Sequence, residues 1–385
     1  MTRLPIGLSH LLLLIIAPVS LAAAFGPPPG VVIDHISAST GQFVGSPSIA
    51  VLLDGSYVAF HDLFGPKSTE LSRAAGQVFR STDRGEHWSH LTDLNGAFWC
   101  NLFVHKGRLY LMGTTKQMGD IVIRRSDDGG KIWSDPKDPG SGVIATGRYH
   151  TSSVSTVIHA GRLWRAFECD IAQRNFQAFM LSIPIDADLL NAGNWTISAR
   201  LTADSKWLDN QCRGWLEGNA VLASDGSILD VLRCEYRKAD ERAAVVHISA
   251  DGKAASFNPT SDFIAFPGGC KKFTIRFDEK SKLYWTLSNA PHPDDLARNL
   301  SADRLRNTLV LMNSPDVLHW TIKATILHHA DPVKHAFQYA DWQIDGDDLI
   351  VASRTAWDDA EGGAHSAHDA NYLTFHRIPH FRANN

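Results

Sequence analysis

The chain has 385 residues, a formal net charge of −4 and no basic run or stripe. Nucleic acid is therefore not an expected partner, because phosphate binding needs concentrated positive charge. A chain this long buries a substantial core, and an all-β architecture can use all of it as one domain.

At the N-terminus, Met1 to Arg3 supplies one positive charge, Leu11 to Ile16 starts an apolar run that continues to Leu21, and Ala22 to Ala24 ends it with small residues. This pattern predicts a secretory signal peptide over 1–24, cut before Phe25. Pro18 interrupts the run and no second apolar span follows. The expectation is a secreted or periplasmic protein without a membrane anchor, its residues 25–385 forming a single domain. Five cysteines follow, Cys100, Cys169, Cys212, Cys234 and Cys270. Cys212 and Cys234 flank one predicted hairpin and are the specific candidates for a disulfide; buried free thiols are the alternative.

Val31 to Ile33 reads as a strand able to close a ring against the end of the chain. From there, alternating strand pairs turn at Asp54-Gly55, Lys106-Gly107, Ala160-Gly161, Asp225-Gly226, Ser281-Lys282 and Asp345-Gly346. Successive turns fall 52 to 65 residues apart, room for one four-stranded unit each, and six such units predict a six-bladed β-propeller. A second repeat marks the same period. Ser81, Asp83, Gly85 and Trp88 recur as Ser126, Asp128, Gly130 and Trp133, with weaker echoes at Ser249, Asp251, Gly252 and Phe257 and at Ser314, Asp316 and Trp320. In each, a short hydroxyl and a carboxylate can satisfy the amides of a tight turn while an aromatic ring packs beneath it, a structural role.

In a propeller the innermost strand of each blade starts near the axis, so blade openings converge. Ser46, Asn101, His150, Glu217, Lys271 and Tyr339 are expected at one mouth, joined by His61, Asp62, Glu168, Arg233 and Arg354 from the ends of returning strands. Acidic, basic and phenolic groups together suit a glycan site better than an apolar ligand cavity. Trp99, Trp215 and Trp342 also lie near blade openings, placed either to stack on a sugar face or to wedge neighbouring blades.

The repeated turn is the Asp box, and on it the chain resembles the sialidase (neuraminidase) superfamily of six-bladed propellers. A stronger local likeness runs from Glu217 through the Asp225-Gly226 turn to Arg233, similar to the sialidase catalytic glutamate and the arginine ending the returning strand. Leu287 to Asn289 with Arg306 to Leu309 resembles the stretch holding another carboxylate-binding arginine, and Phe337 to Asp341 resembles the strand bearing the nucleophilic tyrosine. Where sialidases open with R-I-P-S, this chain has Gly45, Ser46, Pro47 and Ser48.

The resemblance implies a retaining glycosidase with Tyr339 as nucleophile and Glu217 accepting its proton, since a neutral phenol does not repel a substrate carboxylate. Arg233 and Arg306 would fork onto that carboxylate, with Arg354 a candidate for the third arginine. Asp62 or His61 is the candidate acid for the leaving oxygen. Glu168, Lys271 and Trp342 complete the candidate substrate-binding set. The expected partner is an acidic oligosaccharide or glycan. His150 opens an alternative, abstraction of a proton beside a uronic carboxylate with Tyr339 as acid, which is lyase chemistry; a uronate-directed glycosidase and a non-catalytic glycan-binding propeller also stay open. His61-Asp62 and His365, His368 and Asp369 have metal-ligand chemistry but no short-range zinc spacing, so neither a catalytic metal nor a cofactor is expected.

Overall fold

The computed structural model describes residues 26–384 apart from 173, 174 and 299. The expected signal segment lies outside them. Among the described residues no helix is long and apolar enough to cross a membrane.

The chain is all-β and propeller-like, built from five antiparallel sheets. The first holds Ser48–Val51, Tyr57–Phe64, Ala75–Ser81 and Ser89–Asn95, with the short Phe43–Val44 at its edge. The second has nine strands. Phe98–His105, Arg108–Thr114, Gly119–Ser126 and Val143–His150 join Arg162–Ala172 and Asn175–Pro184 through two residue pairs, Tyr149 with Cys169 and His150 with Glu168. The third is built on Trp215–Leu222, Ile228–Cys234 and Arg242–Ile248, and the fourth on Thr274–Asp278, Leu283–Ser288, Thr308–Ser314 and Thr321–His328. In the fifth, Val31–His35 pairs antiparallel with Tyr372–Ile378, followed by Asp348–Ala356 and Ala336–Asp345. The early strand thus closes against the late one, as its position suggested.

All six expected dipeptides join paired strands. At Lys106-Gly107 and Ala160-Gly161 both residues have positive φ, the backbone of a tight turn whose twist matches its strands. The four repeated turns also form as read. Ser81 Oγ donates to Asp83, Asp83 accepts from the amide of His87, and the Trp88 indole donates to the Gly85 carbonyl. Trp133 and Trp320 repeat that last bond onto Gly130 and Val317.

Two kinds of contact fix the sheets to one another. Indoles fill the gaps between them, Trp164, Trp215, Trp285 and Trp342 being the largest fully buried side chains. Around the axis, polar side chains bridge the innermost strands. Ser48 Oγ donates to Asp341 at 2.7 Å and accepts from the Leu102 amide at 2.9 Å, while Asn219 accepts from Ile275 and Arg165 donates to Asn101.

The innermost strands share a further feature. Their register slips between Phe98 and Asn101, between Leu216 and Asn219 and between Gln338 and Asp341. Within each slip one non-glycine residue is left-handed, Trp99 at φ 52°, Glu217 at 59° and Tyr339 at 54°. Such backbone costs about 1–3 kcal/mol per residue and a bulge re-aims a single side chain. All three point into the same cavity.

All five cysteines are buried and free. The thiols of Cys212 and Cys234 are in hydrogen-bond contact but not joined.

Candidate active site

The cavity has a volume of about 180 Å³. The three bulges deliver Trp99, Glu217 and Tyr339 to its wall; strand ends deliver Asp62, His150, Arg233 and Arg354, and Arg306 stands just before its strand.

Glu217 is held by Arg233, whose Nη1 donates to Oε2 at 2.9 Å while its Nε donates to the Cys270 carbonyl. Burial disfavours the Glu217 anion, but the Arg233 charge, with His150 behind it, outweighs burial and keeps the carboxyl below its ordinary range. Asp62 has the opposite balance. It is fully buried and accepts amides from Ser46 at 3.0 Å and Trp99 at 2.5 Å, yet burial dominates and raises it to about 6. One carboxyl is therefore a standing anion and the other a proton carrier near neutrality.

Tyr339 stands between two guanidiniums, Arg354 at 4.8 Å and Arg306 at 5.4 Å from its ring centre. Both are buried, and among the described residues neither has a carboxylate partner. Arg306 donates to the amide oxygen of Gln338, and Arg354 donates to the His368 carbonyl while its Nε has no acceptor. Burial drives Arg354 down to about 10. An unpaired buried charge costs several kcal/mol, so a pair of this kind has the chemistry to hold an anion. No hydrogen bond among the described residues links the Tyr339 hydroxyl to Glu217; what the two share is the cavity.

His150 forms a third group in the wall. Its Nδ1 meets Glu168 Oε2 at 2.8 Å, and its ring is wedged between Trp99 and Phe176.

Some expected positions are corrected. His61 is completely buried behind Asp62, its Nε2 on Asp34 at 2.9 Å, and does not reach the cavity. Glu168 lies beneath His150 and accepts the Gly218 amide, so it orients the imidazole but does not line the wall. Lys271 is buried against Glu241 and the Ala302 carbonyl. Trp342 sits in the core, donating to the Thr274 carbonyl, and Asn101 is held by Arg165. Trp215, like Trp342, is a wedge between sheets. Conversely Glu70, Gln117 and His368 enter the wall from loops, where no strand periodicity marks them.

The structure also gives a reason for the glycine at the first opening. A Cβ on Gly45 would stand 1.6 Å from Asp62 Oδ1, and the Gly45 amide donates to the Asp62 carbonyl at 2.7 Å. The Asp62 carboxyl fills the space a side chain at 45 would need. A third guanidinium, Arg354, enters the cavity from the fifth sheet.

No family model matches the chain, and no curated protein matches it. Solved structures do. A protein of unknown function from Dyadobacter fermentans aligns over 91% of this chain and 97% of its own at 13% identity, TM-score 0.60. An α-L-arabinofuranosidase from Fusarium graminearum aligns over 91% and 97% at 12% identity, TM-score 0.56. The Trypanosoma rangeli sialidase aligns over 92% of this chain but 58% of its own, at 16% identity and TM-score 0.55. The likeness is one of fold.

Proposed function

We propose that the protein is an exported glycoside hydrolase of sialidase type, exo-acting on a terminal acidic sugar of a glycan. The observation that carries this reading is the pair of buried arginines without carboxylate partners, Arg306 and Arg354, flanking Tyr339. They supply the anion site that an acidic sugar needs, next to the only phenol in the wall among the described residues. The arabinofuranosidase and the sialidase among the similar folds support glycosidase chemistry. The cavity is smaller than the roughly 300–1,000 Å³ of sites for drug-sized ligands, which suits one terminal residue better than a length of chain. Six blades follow if the nine-stranded sheet is taken as two blades joined at His150 and Glu168, each opening on its own hairpin.

In this mechanism the Tyr339 oxygen attacks the anomeric carbon and its proton passes to Glu217, already anionic beside Arg233. Neutral Asp62 gives its proton to the departing glycosidic oxygen. Asp62, now a carboxylate, then takes a proton from the water that displaces Tyr339, and Glu217 returns the phenolic proton. Arg306 and Arg354 hold the substrate carboxylate and stabilise the charge that develops on the phenol oxygen.

One observation favours a second reading. His150 is oriented by a buried carboxylate and faces the same cavity as Tyr339, the pairing a uronate lyase would use. Mass analysis of products from sialylated and uronate-terminated glycans, beside Tyr339→Phe, separates the two. A product heavier by one water and lost in the variant supports hydrolysis. An unsaturated product without added water supports elimination, and tight binding of a glycan without turnover leaves a binding propeller.

A further inference from the structure

The strand Leu283–Ser288 does not return directly. After Ser288 the chain leaves the fourth sheet through a short helix, Pro293–Leu296, and re-enters at Thr308, just after Arg306 has reached the cavity; this excursion is the insertion. At the base of the insertion stand His292, Asp295 and His328, with one ligand atom from each within 4.8 Å of the others. The two imidazoles stack at 4.3 Å. His328 comes from the neighbouring strand Thr321–His328, so the three residues bridge the insertion to the sheet.

We propose that His292, Asp295 and His328 bind a divalent transition metal of the zinc type, and that the ion clips the insertion onto the sheet and fixes the approach of Arg306. Two neutral imidazoles and one carboxylate form a borderline-soft donor set with a position left for water. Supporting contacts are already present. His328 Nδ1 meets Thr308 Oγ1 at 2.9 Å, which leaves Nε2 as its ligand atom. His292 Nδ1 accepts the Asp294 amide at 3.3 Å and lies 3.6 Å from the Asp294 carboxylate; ligation through Nε2 requires the other tautomer, in which Nδ1–H donates to that carboxylate instead. Asp295 is buried, and its Oδ2 accepts from Asn307 Nδ2 at 2.7 Å, so the carboxylate is held in place.

Bonds of about 2.0–2.1 Å place tetrahedral ligands about 3.4 Å apart, so the rings must close by about an ångström or somewhat more. His292 is partly exposed and His328 exposed, which allows that rotation. Asn307 links the site to the cavity: it holds Asp295, donates to the His329 carbonyl, and follows Arg306 in the chain. By contrast His365 and His368, singled out in the sequence, both spend Nδ1 on Asp369 at 2.8 Å.

The test is titration of the chelator-treated full chain with Zn²⁺ by calorimetry and with Co²⁺ by visible absorption, neither of which depends on turnover. Saturable one-to-one binding is expected, with the intense visible bands of low-coordinate Co²⁺. His292→Ala and Asp295→Asn should each weaken it at least ~10-fold, with unchanged far-ultraviolet circular dichroism. Thr308→Val, which removes only the partner of His328, should weaken it less. Absence of saturable binding overturns the proposal. So does binding that survives His292→Ala and His328→Ala together, or that is lost only in His365→Ala.

Discussion

Replacing Asp62 by asparagine tests the assignment of the proton carrier without reference to any substrate. Burial raises this carboxyl from 3.8 to about 6, so the folded chain favours its neutral form by about 3 kcal/mol. The raised value fixes the sign. This stabilisation is fully present below the unfolded value of 3.8 and is lost as pH rises through about 6. About 2 of the 3 kcal/mol should disappear between pH 4.5 and 8. Asparagine cannot ionise and loses none of it, but its amide nitrogen must face the Ser46 or Trp99 amide, a cost of about 1–3 kcal/mol at every pH. The stability difference, variant minus parent, should therefore rise by about 2 kcal/mol from pH 4.5 to 8 in denaturant titrations. Turnover by the variant should fall ~10²–10⁴-fold. A stability difference that stays flat across that pH range would mean Asp62 is already ionised in the fold, and the acid must be sought elsewhere.

Arg354→Met removes an unpaired buried charge and should raise the unfolding free energy while weakening binding of an acidic sugar ~10–100-fold, measured by chemical denaturation and calorimetry. Glu168→Gln loosens the hold on His150; a fall in turnover of at least ~100-fold with little change in KM would favour His150 as base, whereas less than ~10-fold leaves the hydrolase reading in front. Gly45→Arg adds the arginine that sialidases carry at that opening, yet should abolish activity and lower the unfolding temperature, because its Cβ meets Asp62 at 1.6 Å. Trp342→Ala should cost about 3–5 kcal/mol with KM unchanged in the fraction that folds, since the indole packs between sheets and does not line the cavity.

Much of the architecture was legible because turns have strict backbone needs. Gly107 and Gly161 follow residues forced to positive φ, and Asp83 and Asp128 bind amides only a few residues away. The convergence of Glu217, Arg233, Tyr339 and Arg354 was also readable from the order of hairpins, whereas Arg306 came only with the resemblance to sialidases. Position near a blade opening did not by itself say which side chains face the cavity. The bulge between Gln338 and Asp341 carries Tyr339 into the cavity wall, while Trp342, beyond the bulge, packs in the core. Lys271 was misjudged for another reason: its partner, Glu241, is 30 residues earlier, and no local pattern announces a buried ion pair. Glu70, Gln117 and His368 lie on loops whose course depends on the finished sheets. Gly45 appeared only as a missing arginine, and its meaning emerged with the Asp62 carboxyl beside it.

The closure of the fifth sheet has a consequence for how the molecule comes into being. Val31–His35 finds its partner in Tyr372–Ile378, more than three hundred residues later, so this pairing must wait until all the residues between them have been synthesised. Tyr339 and Arg354 ride on the strands of that same sheet. A chain broken off before Tyr372 would leave both Val31–His35 and Asp348–Ala356 without the strand that lies between them. The candidate nucleophile and anion site are thus seated on the sheet whose pairing spans the greatest length of chain.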